Sequence, residues 1–309
     1  MNLSIQRQVT KDLSVSAAYV GTLARNLPFG RDVNYPVVNS TATAAGANVL
    51  SRRPNPLFGA VTLLKSDQTA SYLGLQITSA MRMSHRVSFN AFYTFSKTLS
   101  GVQLHNNTTQ GLAQNYSNLR LDHGPADTDQ RHVFSASLNY QPDYYTGGNA
   151  IVRNILNGWT LSPLVKLRSG LPFSVTNGSV DANLDGTTND RAQLIGDPHI
   201  SNPTAAQWFN TAAFVQNKVV TGVATEGNAG RNLLYGPGYR DIDLAISRDF
   251  RLNERFKLRF RAEGTNAFSM VSLGQPGNSV PSGSTSTTFG VIRSAQAMRK
   301  LQFGLRLTF

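Results

Sequence analysis

Apolar and polar side chains alternate with a period of two along much of this chain. In the terminal run the odd-numbered residues form one apolar face of a strand: Leu301, Phe303, Leu305, Leu307 and Phe309. Eight further segments alternate in the same way: Leu3–Val9, Leu13–Tyr19, Tyr72–Met83, Val87–Phe95, Phe134–Tyr140, Trp159–Arg168, Asp241–Ser247 and Phe256–Glu263. The sequence therefore predicts an all-β chain of about nine antiparallel strands.

Short and long connections alternate between these segments. Short or medium turns lie near residues 10–12, 84–86, 142–148 and 251–254, whereas long loops cover about 22–69, 96–130, 169–237 and 268–297. A soluble β-sandwich has turns of similar length at both ends. Outer-membrane barrels instead combine short periplasmic turns, long extracellular loops, a lipid-facing apolar band and a polar lumen. The pattern favours a transmembrane up-and-down β-barrel over a sandwich that binds glycans or partners through its loops.

Composition excludes several other classes. The net charge of +12 comes from Lys and Arg scattered one or two at a time, which is not the clustered pattern of a nucleic-acid-binding protein. The chain has no Cys, so disulfides and thiolate metal sites are excluded. No nucleophile elbow and no helical pairing of His with Glu is found. We therefore expect no enzyme and no nucleic-acid partner.

The strand count suggests that the sheet is incomplete. Single-chain bacterial barrels have an even number of strands, whereas about nine are counted here. The N-terminus also lacks the basic and apolar regions of a signal peptide. We expect residues 1–309 to form the C-terminal part of a larger barrel, as a curved sheet whose last strand has a free edge.

Short motifs along almost the whole chain resemble the C-terminal part of the Oar-like TonB-dependent receptors. The motifs are Tyr19–Thr22, Phe89–Lys97, Asp127–His132, Gly158–Trp159, Ser169–Phe173, Trp208–Asn210, Gly227–Asn232, Gly236–Asp243, Phe260–Glu263, Asn266–Phe268, Phe289–Gly290 and the terminal Phe309. Each motif is modest alone, but their joint order is specific.

The resemblance implies the last part of a barrel of about 22 strands in the cell outer membrane of a Gram-negative bacterium. The plug, the TonB box and the carboxypeptidase-regulatory-like domain of such receptors are not found in this chain. The implied partners are outer-membrane lipid, the barrel-assembly machinery reading Phe309, and TonB only through the missing N-terminal parts. The implied role is part of the wall of a substrate conduit for an unknown glycan, siderophore or secreted protein. The alternative is a surface adhesin that works through its long loops.

One loop has the residue types of a metal site. Oxygen-bearing side chains recur at Asp181, Asn183, Asp185, Asn189 and Asp190, with Gly186 after the third. This spacing resembles the start of a calcium loop, since Ca²⁺ prefers hard oxygen ligands and the Gly permits a sharp turn. The distal Glu of such loops is replaced by Ala192. The two alternatives are a Ca²⁺ site and a plain Asx-rich turn.

Charged side chains occupy the polar face of the last three strands. We predict that seven of them face the lumen: Asp241, Asp243, Lys257, Arg259, Arg261, Glu263 and Arg306. Cross-strand ion pairs would compensate these charges in the barrel wall, and a conduit lining is the functional alternative. On the apolar face, Trp159, Tyr93 and Tyr140 are candidates for aromatic girdles at the membrane interfaces.

Overall fold

A computed structural model describes residues 1–37, 48–101, 113–218, 225–281 and 287–309. Nine long antiparallel strands form one sheet: β1 (Asn2–Gln8), β2 (Leu13–Asp32), β3 (Thr62–Ser84), β4 (Val87–Ser100), β5 (His132–Tyr140), β6 (Trp159–Arg168), β7 (Tyr239–Arg251), β8 (Lys257–Thr265) and β9 (Lys300–Thr308). A tenth strand of two residues, Gly124–Pro125, pairs with the end of β4. The predicted all-β class is confirmed.

Each long strand pairs with the next one along the chain, which makes the sheet an up-and-down meander. Within the described residues, β1 pairs only with β2, and β9 pairs only with β8. The sheet therefore has two edges and is not closed, which confirms the predicted incomplete barrel. Both edge strands are exposed along their whole length.

Strand register divides the side chains into one apolar face and one polar face. Residues directly opposite each other share a face. Ile77 lies opposite Tyr93, Ile246 opposite both Leu161 and Ala262, and Phe260 opposite Leu305. In a sandwich this apolar face would be covered by a second sheet, but large side chains on it are exposed, from Ile5 at 71% to Leu305 at 72%. The β-sandwich alternative is therefore wrong.

The strands β2 and β3 are longer than the sequence predicted. The loop expected at residues 22–69 is confined to residues 33–61. Two register shifts, between Ala24 and Leu27 and between Leu27 and Pro28, let the pairing continue past the proline. Pro28 has no backbone N–H to donate, so it is tolerated where a bulge interrupts the ladder.

All short connections lie at one end of the sheet and all long ones at the other. The short ones are residues 9–12, 85–86, 141–158 and 252–256. His85 and Arg86 both have positive φ, +48° and +67°, as a two-residue type I′ hairpin requires. The connection at 141–158 contains the helix α1 (Ala150–Leu156). Among the described residues no helix is long and apolar enough to span a membrane.

Candidate functional site in the loop lobe

The long connections fold together into a structure with its own core. We call it the loop lobe: the described residues of 33–61, 113–131, 169–238 and 266–299. Phe209 lies at its centre, with ring centroids 5.8 Å from Phe173, 5.7 Å from Phe214 and 5.2 Å from Phe289. No residue of β1–β9 belongs to this buried cluster: Phe173, Val175, Ala192, Phe209, Ala213, Phe214, Ala229, Leu234 and Val280. The lobe therefore holds its shape by packing that does not depend on the sheet's apolar face.

Arg191 connects three segments of the lobe at once. Its Nη1 lies 2.5 Å from Asp122 Oδ1, its Nη2 donates to the Leu121 carbonyl at 2.7 Å, and its Nε donates to the Ala229 carbonyl at 2.8 Å. Both charged side chains are buried, with 7% and 3% exposed. A Cβ on Gly227 would lie 1.8 Å from the Arg191 carbonyl oxygen, so the backbones meet too closely for any other residue.

Two of the short motifs in the sequence connect loops of the lobe to each other and to the end of β4. Arg231 Nη1 donates to the Ser100 carbonyl at 3.2 Å. Asn232 Nδ2 donates to Asp127 Oδ1 at 2.7 Å and to the Pro125 carbonyl. Burial lowers the pKa of the Arg231 guanidinium, although Asp127 partly compensates. The segments 127–132 and 227–232 thus hold loops together through hydrogen bonds, a role that their sequences alone did not indicate.

The acidic loop at residues 181–190 has its carboxylates buried inside the lobe, whereas Gly186, Thr187 and Thr188 are exposed. Asp181, Asp185 and Asp190 are only 5%, 2% and 0% exposed. Asp181 accepts hydrogen bonds from the backbone N–H groups of Asp185 at 3.0 Å and Gly186 at 2.8 Å. Asp185 Oδ2 accepts one from the Tyr35 hydroxyl at 2.9 Å. Gly186 has φ +91°, the left-handed conformation for which Gly is suited.

The amide side chains of this loop connect it to the segment before Asp122. Asn183 Nδ2 donates to the Gln114 carbonyl at 2.8 Å, and Asn189 Nδ2 donates to the Ala113 carbonyl at 2.7 Å. The five predicted residues therefore lie in one loop, in which Asn189 is half-buried and the other four are buried. Among the described residues no three His, Cys, Asp or Glu side chains form a ready metal-ligand set.

Asp190 is the last residue of the acidic loop, and only one of its two carboxylate oxygens accepts hydrogen bonds. Its Oδ2 accepts hydrogen bonds from the backbone N–H groups of Ala182 at 2.6 Å and Asn183 at 3.3 Å. Its Oδ1 is buried and has no hydrogen-bond partner. Burial, with a smaller contribution from the charges of Asp185 and Asp181, raises the pKa of Asp190 from 3.8 to about 7. Burial likewise raises the pKa of Asp181.

A cleft of about 860 Å³ opens between the loops beside this acidic loop. One wall is the segment Gly186–Asn189, and another carries Phe173, Arg191 and Arg231. Its lining combines apolar surface with hydroxyl, amide, guanidinium and carboxylate groups, which come from Gln114, Asp122, Asp127, Ser174, Thr176, Thr187, Thr188, Asn189, Arg191, Arg231, Asn232 and Asn278. The volume is within the range of small-ligand sites, and the lining offers hydrogen bonds beside apolar contacts.

The seven predicted lumen residues share the polar face of the sheet. The register places Arg259 opposite both Asp249 and Arg306. Asp249 receives a bidentate pair from Arg259, at 2.6 and 3.0 Å, and a second ion pair from Lys257 at 2.9 Å. Arg261 pairs with Glu263 along β8. Pairing thus compensates this part of the polar face only in part, because four cationic side chains, those of Lys257, Arg259, Arg261 and Arg306, share the two carboxylates of Asp249 and Glu263.

Asp241 and Asp243 on β7 form ion pairs with β6, the neighbouring strand on the side away from β8. Lys166 on β6 lies 2.8 Å from Asp243 and 3.3 Å from Asp241. These carboxylates lie near the loop end of β7. Lys257 and Arg259 lie on β8, opposite the turn end of β7, so they are too far along the strands to pair with Asp241 and Asp243. The sequence analysis did not identify Lys166 and Asp249 as residues of the polar face. The alternation of their strands places both on that face and could have identified them.

The aromatic candidates lie at opposite ends of the apolar face. Tyr93 contacts His132 near the loop end, with 2.8 Å between the hydroxyl and Nδ1. Tyr140 and Trp159 lie near the turn end, at the last residue of β5 and the first of β6. The Arg248 guanidinium lies 5.4 Å from the Trp159 ring centroid, a cation–π geometry. Two aromatic levels on one apolar face are the arrangement expected of interfacial girdles.

Comparison with known proteins agrees with this geometry. Residues 1–302 match the family model described as outer membrane beta barrel domain. A search of curated proteins found no match. The outer membrane transporter YddB from Escherichia coli is similar in fold, with 10% identity and a TM-score of 0.50 over 99% of this chain and 32% of that one.

Two receptor structures align less closely. FpvA from P. aeruginosa, solved with pyoverdines, has 11% identity and a TM-score of 0.49, over 99% of this chain and 26% of that one. The siderophore receptor PiuA from Acinetobacter baumannii has 8% identity and a TM-score of 0.40, over 99% and 35%. The chain thus spans between about a quarter and a third of the length of these proteins.

Proposed function

The chain belongs to the outer membrane β-barrel domain family, and we propose that it forms part of the wall of a substrate conduit in a TonB-dependent receptor of the Gram-negative outer membrane. The observation that supports this is the division of one continuous sheet into an exposed apolar face and a polar face that carries ion pairs. An apolar face suits lipid, and a polar face suits a water-filled lumen. The seven predicted charged residues would then line the conduit.

The loop lobe is the part that would meet the substrate first. Its cleft combines hydroxyl, amide and charged groups with an apolar surface that includes Pro172 and Phe173. Such a lining favours a ligand rich in hydroxyl or carboxylate groups, a class that includes both glycans and siderophores. Because Arg191 and Arg231 are already engaged with Asp122 and Asp127, the amides and hydroxyls would make most of the ligand contacts.

The proposal is tested by placing the chain in cells with an export signal and examining its outer-membrane fraction. A transmembrane barrel wall resists extraction without detergent, and its migration in gel electrophoresis changes after heating because sheet hydrogen bonds survive in detergent until heated. A folded, monodisperse protein in plain buffer would overturn the proposal.

A surface adhesin is the second candidate, because the lobe has its own core and its own cleft. Exposed Thr188 lines the cleft, so replacing it by Trp would obstruct any ligand there. Ala245 lies on the polar face of the sheet, so replacing it by Trp would narrow the conduit instead. An adhesin loses binding only with the first variant. A transporter loses substrate uptake with both.

Phe309 is proposed as the assembly signal, as the resemblance implies. It follows β9 directly, and its side chain is 90% exposed, so it is free to be recognised before the sheet is complete. Deleting Phe309 is expected to reduce the heat-modifiable fraction in the outer membrane, whereas Phe309→Tyr, which keeps a terminal aromatic, should retain it. Equal assembly of both variants would contradict the role.

A further inference from the structure

We propose that the loop lobe binds one Ca²⁺ ion at the acidic loop, with Asp190 Oδ1 as a ligand alongside oxygens of Asp181, Asn183 and Asp185. Three buried carboxylates lie in this loop, at 5%, 2% and 0% exposure, whereas the ion pairs described for the lobe involve other carboxylates such as Asp122 and Asp127. The buried guanidinium of Arg52 donates to the Leu184 carbonyl of the loop, and among the described residues it makes no ion pair with these carboxylates. Buried charges without a counter-charge are costly, and a bound cation removes that cost.

The unpartnered oxygen of Asp190 points independently to a missing ligand. Its sister oxygen Oδ2 binds the N–H groups of Ala182 and Asn183, which places the whole carboxylate group against the loop 181–185. Asp190 is 0% exposed, so bulk water does not satisfy Oδ1. Buried polar atoms are normally paired, and an exception calls for an ion or an ordered water.

The ligand set favours Ca²⁺ over a transition metal. The candidate ligands are all oxygens, carboxylate or amide, and Ca²⁺ accepts six to eight such ligands, including backbone carbonyls and waters. Backbone carbonyls and waters can complete such a site, so it does not require that Asp181, Asp185 and Asp190 already form a ready ligand set, which they do not among the described residues. Zn²⁺ sites are built mainly from Cys and His, and the proposed ligands include neither. Mg²⁺ demands stricter octahedral geometry.

Residues 186–189 of the same loop form one wall of the 860 Å³ cleft. A cation held at Asp181 and Asp185 would therefore fix the position of that wall. If the cleft has the ligand-binding role proposed above, its ligand affinity depends on Ca²⁺. Cation binding itself needs no transport, so its failure would leave the proposed function untouched.

The test uses the full chain folded in detergent, first stripped with EDTA and then titrated with Ca²⁺ by calorimetry. Wild type is expected to bind one Ca²⁺ with a Kd of about 0.1–1 mM, the range of extracellular sites. The isosteric variant Asp190→Asn should bind at least tenfold more weakly. Asp197→Asn is the matched control, because Asp197 lies in the same lobe with its side chain 79% exposed, and it should bind like wild type.

Hydrogen exchange of residues 181–190 separates a cation ligand from a purely structural residue. If Asp190 is a ligand, Ca²⁺ should slow hydrogen exchange of these residues in wild type but not in Asp190→Asn. In EDTA, without Ca²⁺, the same residues should exchange no faster in the variant than in wild type. If Asp190→Asn does not fold, Asp185→Asn provides the same comparison. No binding by wild type at about 10 mM Ca²⁺, far above the extracellular range, would overturn the proposal. Equal Ca²⁺ affinity in wild type and in the Asn variant would also overturn it.

Discussion

Replacing Leu244 by Arg is expected to destabilise the assembled barrel by about 2–4 kcal/mol, the cost of an Arg on the lipid face near the bilayer midplane. Leu244 lies near the middle of β7 on the apolar face, between Pro163 on β6 and Gly264 on β8. Its neighbour Ala245 lies on the polar face, opposite Ser162 and Glu263. Ala245→Arg therefore adds the same charge one residue away, beside a carboxylate, and should be nearly neutral.

The test compares the free energies of unfolding of these two variants. Denaturant unfolding of the chain in lipid vesicles gives the free energy of unfolding for each, and outer-membrane yield in cells gives a second reading. A destabilisation by Ala245→Arg that equals or exceeds that of Leu244→Arg would contradict the assignment of the two faces.

Replacing Arg191 by Met is expected to destabilise the loop lobe by about 3–5 kcal/mol, because it leaves the Asp122 carboxylate buried without its partner. The change also removes the donors to the Leu121 and Ala229 carbonyls. Hydrogen exchange in residues 171–218 and 225–237 should accelerate roughly a hundredfold to a few thousandfold, since each 1.4 kcal/mol is a factor of ten. Exchange in the middle of β7 and β8 should change little.

Two controls separate loss of the ion pair from general damage. Arg120 belongs to the short 3₁₀ helix Leu119–Asp122 and is exposed, so Arg120→Met should have little effect. The double variant Arg191→Met with Asp122→Asn removes both charges and should recover part of the lost stability. Unchanged exchange in Arg191→Met would show that the lobe does not depend on this contact.

The sheet could be predicted from the sequence because its information is local. Alternation in runs such as Leu301–Phe309 specifies a strand and its two faces without knowledge of the partner strand. The order of the strands followed from the alternation of short and long connections. The main local error was at Ala24–Pro28, where a proline and missing periodicity predicted a loop, whereas a bulge keeps the strand continuous.

The loop lobe could not be predicted because its contacts are distant in sequence. Phe173, Phe209 and Phe289 meet in one cluster although no periodicity relates them. Arg191 and Asp122 belong to different long connections, and neither was a candidate residue. The acidic residues at 181–190 were recognisable from their spacing. Their burial, and the unpaired oxygen of Asp190, are properties of the folded lobe alone.

The most direct test of the barrel wall is to measure which face of β7 contacts lipid. The chain has no Cys, so single Cys variants at successive positions from Ile242 to Ser247 can each carry one nitroxide spin label. In vesicles, labels at Ile242, Leu244 and Ile246 should collide mainly with lipid-soluble oxygen, and labels at Asp243, Ala245 and Ser247 mainly with a water-soluble nickel complex. Equal accessibility at neighbouring positions, or an alternation of the opposite sense, would contradict an outer-membrane barrel wall.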